Sequence, residues 1–349
     1  MENAQADHPA PETPRREITV ARIARLAGVS APTVSKVLNG RPGVASDTRQ
    51  RVEEIISRHG YEKLDHGEPA AIVELVFQAL DSLWALEIVR GVEQIVRAQG
   101  MAVAVTEMHG HLTPDRNWAR QVMERRPAGV IAVSTLLTVD QQKQLASRRI
   151  PLVVLDPSGE PGHQIPSVGT TNWNGGLLAT RHLIELGHRR IAMITGPGQH
   201  VGCRARLDGY RAALDAAGLP SAPELVQTAD LYVEGGLAAA RRLLRLAHRP
   251  TAVFTANDLQ ALGVYQAARE AGLGIPDDLS IVGFDDLPFV RWLGPALTTV
   301  QQPLLRMGAA AAEMILTLSL GRSLEHQRIE IPTTLVIRHS TARAPDATR

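Results

Sequence analysis

Residues 18–39 of the chain read ITVARIARLAGVSAPTVSKVLN, and this stretch decides the fold of the first domain. Apolar residues recur at helical spacing between Ile23 and Ala27, which predicts a short helix. Gly28 is expected to end that helix, because glycine tolerates the left-handed backbone of a tight turn. Ser30 is then placed to cap a second short helix. Two short helices joined by a glycine turn are typical of a helix-turn-helix.

The predicted second helix has an apolar face and a polar face. Val34 and Val37 are expected to point inward. The residues left for the outer face are Ala31, Pro32, Thr33, Ser35 and Lys36. A third helix is predicted from Asp47 onward, with Val52 in its buried stripe. The head is therefore predicted to be an all-α bundle of three helices, either a helix-turn-helix domain or an unrelated three-helix bundle.

Charge is unevenly distributed along the 349 residues, whose net charge is +1. Residues 15–63 contain ten Lys or Arg against five Asp or Glu, a net charge of +5, and residues 64–349 sum to −1. A basic head on a nearly neutral body indicates a polyanion as the partner of the head. A solvated basic face would give the same pattern, so charge alone does not decide this point.

From Ala71 onward, short apolar stretches alternate with helical patterns. The predicted strands lie in the stretches IVELVFQAL, MAVAVTEM, GVIAVS, PLVVLD, RIAMITG, TAVFTAND and LSIVGFDD. Strands that alternate with helices in this way imply parallel sheets built by right-handed crossovers. There are too many strand–helix units for one small sheet. The body is therefore predicted to be α/β, with two lobes whose parallel sheets are flanked by helices.

Composition excludes several classes of protein. Cys203 is the only cysteine, so no internal disulfide forms, which fits a reducing compartment. The polar first residues show no secretory signal, and no apolar run is long enough to span a bilayer. The P-loop, G-x-S-x-G, HExxH and dinucleotide motifs are missing, so neither an enzyme nor a cofactor is expected. The expected location is the cytoplasm.

Ligands of open α/β sheets bind beyond the carboxyl ends of the strands, so the residues that follow strands are candidates. Asp81, Ser82 and Trp84 follow the first strand, and Asp156 follows the VVLD strand. An indole for stacking together with carboxylates suits a sugar, which has an apolar face and a rim of hydroxyls. Sugar binding is not the only interpretation of these residues. Trp84 packing on its own lobe and Asp156 forming a turn with Pro157 remain alternatives.

The head resembles the DNA-binding domain of the LacI/GalR family over residues 24–61, including the strings AGVS, TVSKVLNG and the closing HGY. The resemblance implies that Ala31, Pro32 and Lys36 read base edges, with Lys36 as the donor to guanine. The residues better placed for phosphate oxygens are Thr19, Ser30, Thr33, Ser35 and Asn39. For Thr19 and Ser30, helix capping is an equal alternative, and both roles are compatible.

The body is similar to the effector domain of the same family up to about Thr341. The matching segments begin SVGTTNWNGG, TAVFTANDLQ and PALTTVQQP. The resemblance implies a periplasmic-binding-protein-like (type I) fold of two doubly wound lobes, with the ligand in the cleft between them. It places Arg206, Asn257, Asp285 and Gln302 at the ligand, and Asn172 lies near the first crossing between lobes. The neighbouring Asp258 and Asp286 are interpreted as helix caps.

The predicted domain boundaries follow from these segments. They are a tail over 1–16, the helix-turn-helix domain over 17–62, a linker over 63–71, an effector domain over 72–341 and a tail over 342–349. The first lobe is expected over about 72–171 and 299–322, and the second over about 172–298 and 323–341. Family members form a hinge helix in the linker, which Gly67 and Pro69 disfavour here.

The sequence thus predicts a ligand-responsive transcriptional regulator. The expected partners are a palindromic double-stranded DNA operator, a small effector that is a sugar, and a second copy of the chain in a homodimer. A repressor of carbohydrate-utilisation genes fits this combination, with neither a metal nor a membrane involved. A transport-type binding protein shares the body, but the head and the missing signal peptide argue against that alternative.

Overall fold

The computed structural model describes residues 20–38, 43–58, 70–80, 82–109, 113–115, 117–135, 137–157 and 165–345. The chain forms two compact units, which divide between Glu68 and Pro69. The predicted site residues Thr19, Asn39 and Asp81 lie outside the described residues, and so does most of the predicted linker. Within the described part of the chain, no helix is both long and apolar enough to cross a bilayer.

The described residues of the first unit form three helices, as predicted. They are α1 Val20–Ala27, α2 Ala31–Leu38 and α3 Ser46–Arg58. Gly28 adopts φ +61° and ends α1. The Ser30 Oγ accepts a hydrogen bond of 3.3 Å from the Thr33 amide, which caps α2. Ile23, Val34 and Val52, one from each helix, are completely buried, so the three helices share one small core.

The first sheet of the body has six parallel strands in the order β11-β5-β4-β3-β1-β2. They are β1 Ala70–Phe77, β2 Ala102–Glu107, β3 Pro127–Val133, β4 Leu152–Leu155, β5 Ser167–Thr170 and β11 Arg328–Ile331. Its helices are α4 Leu83–Arg97, α5 Trp118–Arg125, α6 Val139–Ser147 and α11 Leu304–Ser319. All seven residues of β3 are buried, as expected for a central strand with helices on both faces.

The second sheet also has six strands, in the order β12-β10-β9-β8-β6-β7, and only β12 runs antiparallel to its neighbour. They are β6 Ile191–Thr195, β7 Val226–Thr228, β8 Ala252–Thr255, β9 Ser280–Asp285, β10 Thr298–Gln301 and β12 Thr334–Val336. Its helices are α7 Asn172–Glu185, α8 Val201–Ala216, α9 Val233–Leu244 and α10 Asp258–Glu270. The prediction of an α/β body with two parallel-sheet lobes is confirmed.

The sheet pairing corrects two expected lobe boundaries. The expected boundaries place β10 in the first lobe, but it pairs with β9 of the second sheet. They place β11 in the second lobe, but it pairs with β5 of the first sheet. The chain therefore crosses between the lobes three times, after β5, after β10 and after β11. Helices α6 and α11 and the short strands β5, β7, β10, β11 and β12 are not among the predicted elements.

Glycines allow the closest helix crossings in both lobes. A Cβ atom on Gly209 of α8 would overlap the backbone oxygen of Trp173 in α7, and one on Gly176 would overlap that of Arg206. In the first lobe, a Cβ atom on Gly91 of α4 would overlap the backbone oxygen of Leu305 in α11. Because the backbones touch at these points, the glycines fix where α7 meets α8 and where α4 meets α11.

Candidate functional site

A cavity of about 370 Å³ lies between the two lobes, beyond the carboxyl ends of strands from both sheets. This volume lies in the range of small-molecule sites. The predicted effector residues that line the cavity are Ser82, Trp84, Asp156, Arg206, Asn257, Asp285 and Gln302. The first three belong to the first lobe, so a molecule in the cavity would contact both lobes.

Arg206 of α8 is buried at the second-lobe side of the cavity. Its Nε donates a hydrogen bond of 2.8 Å to Asn172 Oδ1, and its Nη1 donates to the backbone oxygen of Ala256. Its guanidinium carbon lies 3.7 Å from the ring centroid of Phe284. These partners all belong to the second lobe. Asn172 is not among the residues that line this cavity, so it acts by orienting the arginine.

Asp285, the last residue of β9, is a buried carboxylate that lines the same cavity. Its Oδ1 accepts a hydrogen bond of 2.6 Å from Gln302 Nε2. Burial raises the pKa of Asp285 to about 7, opposed by Arg206 and Gln302 and reinforced by Asp156. Its backbone has φ +114°, a strained conformation for a residue with a side chain. This carboxyl group is therefore placed to exchange hydrogen bonds with a bound ligand.

Gln302 connects Asp285 to the first lobe. Its Oε1 accepts a hydrogen bond of 3.0 Å from Thr170 Oγ1 at the end of β5. The crossing after β5 is in turn joined to the crossing after β11, because the Thr333 amide donates a hydrogen bond of 3.0 Å to Thr171 Oγ1. The side-chain amide of Gln302 therefore links the cavity carboxylate to a crossing segment, rather than serving the ligand alone.

The helix-cap interpretation of Asp258 and Asp286 is wrong. Asn257 caps α10, because its Oδ1 accepts a hydrogen bond of 2.9 Å from the Gln260 amide. The hydrogen bonds of fully buried Asp258 come from the Leu287 amide at 2.8 Å and the Thr299 hydroxyl at 2.6 Å. Asp286 pairs with Arg338 at 2.6 Å. Burial, followed by the charge of Asp285, raises the pKa of Asp258.

The first-lobe side of the cavity contains Trp84, Ser82 and Asp156. Trp84 is half-buried and contacts the core as well as the cavity, so it packs on its own lobe and its stacking on a ligand stays a prediction. Asp156 has φ +48°, and its Oδ2 accepts a hydrogen bond of 3.1 Å from Ser134 Oγ. The expectation that it forms part of a turn before Pro157 therefore agrees with its backbone, and its side chain still faces the cavity.

Sequence reasoning missed several polar residues that line the cavity, namely Gln78, Ser134, Gln199, His200, Asp230 and Tyr232. Gln78 and Ser134 directly follow β1 and β3, so the rule that selected Asp156 would also have found them. In the described lining of the cavity, the carboxyl groups of Asp156, Asp230 and Asp285 outnumber the cationic side chains. Burial lowers the pKa of His200, which favours its neutral form. The cavity is thus rich in hydrogen-bond acceptors.

The first unit has its own candidate surface, the outer face of α2. Ala31, Pro32, Ser35 and Lys36 are exposed on it, and Thr33 is half-buried. Ser30 precedes them and caps the helix. A short helix whose N-terminal residues and one cation face outward has the shape and charge of an element that enters the major groove of DNA.

Comparison with known proteins identifies the family. Residues 19–63 match the profile of bacterial regulatory proteins of the lacI family, and residues 180–341 match a periplasmic binding protein-like domain. The chain is 36% identical to the HTH-type transcriptional regulator MalR of Streptomyces coelicolor, over 93% of this chain and 97% of that protein. It is 30% identical to the HTH-type transcriptional repressor PurR of Aliivibrio salmonicida, over 92% and 98% of the two chains.

The chain belongs to the LacI family. The fold agrees with solved members: a complex of the transcriptional regulator CelR with cellobiose has a TM-score of 0.71 and 33% identity, covering 93% of this chain and 99% of that one. The lac repressor dimer bound to operator and the anti-inducer ONPF has a TM-score of 0.69 and 27% identity, covering 94% and 100%. Like its relatives, this LacI-family protein is a transcriptional regulator and not an enzyme.

The stability of this LacI-family body is expected to fall as pH rises from about 4 to about 7. Across this window folded Asp285 keeps a proton that the unfolded chain has released, because its pKa is raised from 3.8 to about 7. Asp285 alone lowers the free energy of unfolding by at most about 1.4 kcal/mol for each pH unit within this window. Urea denaturation monitored by tryptophan fluorescence measures the effect on the body, since the four tryptophans are Trp84, Trp118, Trp173 and Trp292.

Asp285→Asn is expected to make this pH dependence less steep, leaving the share due to Asp258, whose pKa is also raised. Asp208→Asn on the exposed face of α8 serves as the control that keeps the full slope. An equally steep fall in the Asp285→Asn variant would show that the carboxyl of Asp285 titrates normally in the folded protein.

Proposed function

We propose that this regulator is an effector-controlled repressor of carbohydrate-utilisation genes, acting as a homodimer on a palindromic operator. The observation that carries the proposal is the acceptor-rich cavity between the lobes, in a chain that also has a helix-turn-helix unit. A ligand that contacts both lobes binds one lobe arrangement better than another, which is what allosteric control requires. The cytoplasm is the proposed location, since the operator is there.

The effector is proposed to be a neutral sugar. Asp156, Asp230 and Asp285 supply acceptors for hydroxyl groups, and Trp84 supplies a surface for an apolar ring face. Arg206 donates to Asn172 and Ala256, and these three acidic side chains outnumber it in the described lining of the cavity. Sugar phosphates and sugar acids would therefore place negative charge beside carboxylates. Two structural relatives are described with cellobiose and with ribose, respectively, which agrees with this class.

DNA recognition is assigned to the proposed domain of residues 17–62. Ala31 and Pro32 would offer apolar contacts to base edges, and Lys36 would donate to guanine O6 and N7. Phosphate contacts are proposed for Thr19, Ser30, Thr33, Ser35 and Asn39. Two heads of a homodimer would read the two half-sites of a palindrome, because operator symmetry mirrors protein symmetry.

The effector part of the proposal is tested by fluorescence anisotropy on labelled DNA from the gene's own upstream region. Neutral mono- and disaccharides, their phosphates and nucleosides are added in turn. We expect one neutral sugar to weaken the binding of a single palindromic site. DNA affinity that responds only to a phosphorylated sugar or a nucleoside would contradict the proposed effector class. Tighter DNA binding in the presence of the sugar would contradict the expectation that the effector releases the protein from DNA.

Lys36→Ala tests the DNA part. We expect a loss of about 1–3 kcal/mol on the best site and relaxed base choice at the position that Lys36 reads. Competition with duplexes substituted at single positions measures both effects. The control is Arg58→Ala, since Arg58 is an exposed cation at the end of α3 rather than on α2. An equal loss on every sequence would make Lys36 a phosphate contact instead.

A further inference from the structure

Arginines gather at one edge of the first sheet, where its parallel strands begin. In βα units the helices run back toward the starts of the strands, so helix ends and strand starts meet at this edge. Arg126 precedes β3, Arg148 and Arg149 precede β4, Arg322 follows α11, and Arg328 begins β11. Leu318 near the end of α11 lines the same groove as Arg149, which places both segments together. The strand starts thus carry a row of cations.

Several of these side chains face solvent. Arg148, Arg149 and Arg322 are exposed, and among the described residues no acidic side chain lies within ion-pair distance of any of the three. We call these three residues the arginine edge. The neighbouring cations Arg97 and Arg125 are instead paired with Glu93 and Glu74. Among the residues that the structure describes, the exposed carboxylates at these helix ends and strand starts are Glu124 and Glu325.

The second lobe shows that helix ends alone do not explain this excess of positive charge at the arginine edge. Cations are favoured at helix C-termini in both lobes, because the helix dipole is negative there. At the matching edge of the second sheet, Arg190 pairs with Glu224 at 3.1 Å and Arg241 pairs with Glu270 at 2.8 Å. Asp277 and Asp278 precede β9 at that edge. Arg189 before β6 and Arg245 after α9 are also exposed at that edge, with no ion pair among the described residues. Because four carboxylates lie at that edge, its positive charge is more nearly balanced than that of the first lobe.

Strand β1, the first strand of the body, also begins at this edge. Ala70, the first residue of β1, donates a backbone hydrogen bond of 2.8 Å to the oxygen of Arg126. The first residue of β1 therefore lies at the edge where the strands begin, two strands away from β4, which Arg148 and Arg149 precede. Exposed guanidinium groups bind phosphate oxygens with two parallel hydrogen bonds, which makes a DNA backbone a matching partner.

We propose that the arginine edge binds the phosphate backbone of DNA, adding a contact by the body to that of the helix-turn-helix unit. The inference rests on the proposed DNA binding by the first unit. Phosphate contacts raise affinity without reading sequence, and they make binding more dependent on salt. The arginine edge therefore raises the affinity for DNA of any sequence, while α2 determines which sequence is preferred.

The test compares the full chain with its Arg148→Gln/Arg149→Gln variant on a labelled 40-base-pair duplex of random sequence, at several salt concentrations. Each phosphate contact contributes about 0.9 to the slope of log K against log salt. We expect the slope of the variant to be smaller by about 2 per protomer, in line with that constant. The single variant Arg322→Gln should lower it by about 1. On DNA from the upstream region, the preference over random sequence should be unchanged.

Arg189→Gln/Arg245→Gln removes two exposed charges from the second lobe and is the matched control. A smaller slope in the edge variants, with a control like the parent, supports the proposal. An unchanged slope in the edge variants overturns it and leaves an acidic protein as the candidate partner. An equal change in the control also overturns it, because net charge would then be the cause. Lys36→Ala separates the two proposals, since it alters sequence preference.

Discussion

Arg206→Met is expected to abolish the response of DNA binding to effector, while DNA affinity without effector stays within about twofold of the parent protein. The buried guanidinium orients Asn172, donates to Ala256 and lies against Phe284. It is also the charge that opposes the rise in the pKa of Asp285. Methionine keeps much of the apolar packing but none of these polar contacts. We expect effector affinity to fall at least about 100-fold, or about 2.8 kcal/mol.

Isothermal titration with the sugar that is active on the parent protein measures this loss. The control is Arg211→Met, which removes an exposed arginine from the same helix. Retained effector affinity in Arg206→Met would show that the guanidinium is a structural group at the cavity wall. Loss of DNA affinity together with a lower melting temperature would show that it holds the second lobe together.

Gly209→Val is expected to lower the free energy of unfolding of the body by about 3 kcal/mol, at the upper end of overpacking costs. A Cβ atom at Gly209 would overlap the backbone oxygen of Trp173 and approach the Leu177 amide at 2.8 Å. Backbone atoms cannot rotate aside, so α7 and α8 would have to separate. Because Arg206 is on α8 and Asn172 on α7, their hydrogen bond would be lost as well.

Urea denaturation monitored by tryptophan fluorescence measures this change in stability. Gly198→Ala is the control, because nothing lies within 4 Å of the position of its added Cβ atom. We expect the control to stay within about 0.5 kcal/mol of the parent, as most surface substitutions do. A loss below about 1 kcal/mol in Gly209→Val would mean that the helices can move apart at little cost, against the close packing of protein interiors.

Much of the cavity could be predicted from the sequence, because a local rule locates it. Trp84 and Asp156 each come shortly after an apolar strand, and parallel strands bring their carboxyl ends to one edge. Asp285, the last residue of β9, was predicted from the family resemblance instead. The same rule, applied to every strand, would have added Gln78 and Ser134. It could not show that Asn172 serves Arg206, nor that Gln302 joins Asp285 to Thr170, because those contacts connect residues 34 and 132 positions apart.

The sequence by itself determined the local structures: the turn at Gly28, the cap at Ser30, the main strands and the helices between them. These depend on backbone preferences and on apolar spacing within a few residues. Only the tertiary structure decided the sheet to which β10 and β11 belong, since strand pairing is set by hydrogen bonds to distant partners. It also decided the hydrogen bonds of Asp258 and which arginines face solvent with no ion pair among the described residues. Burial and unbalanced charge depend on what packs nearby, and residues far apart in the chain supply those neighbours.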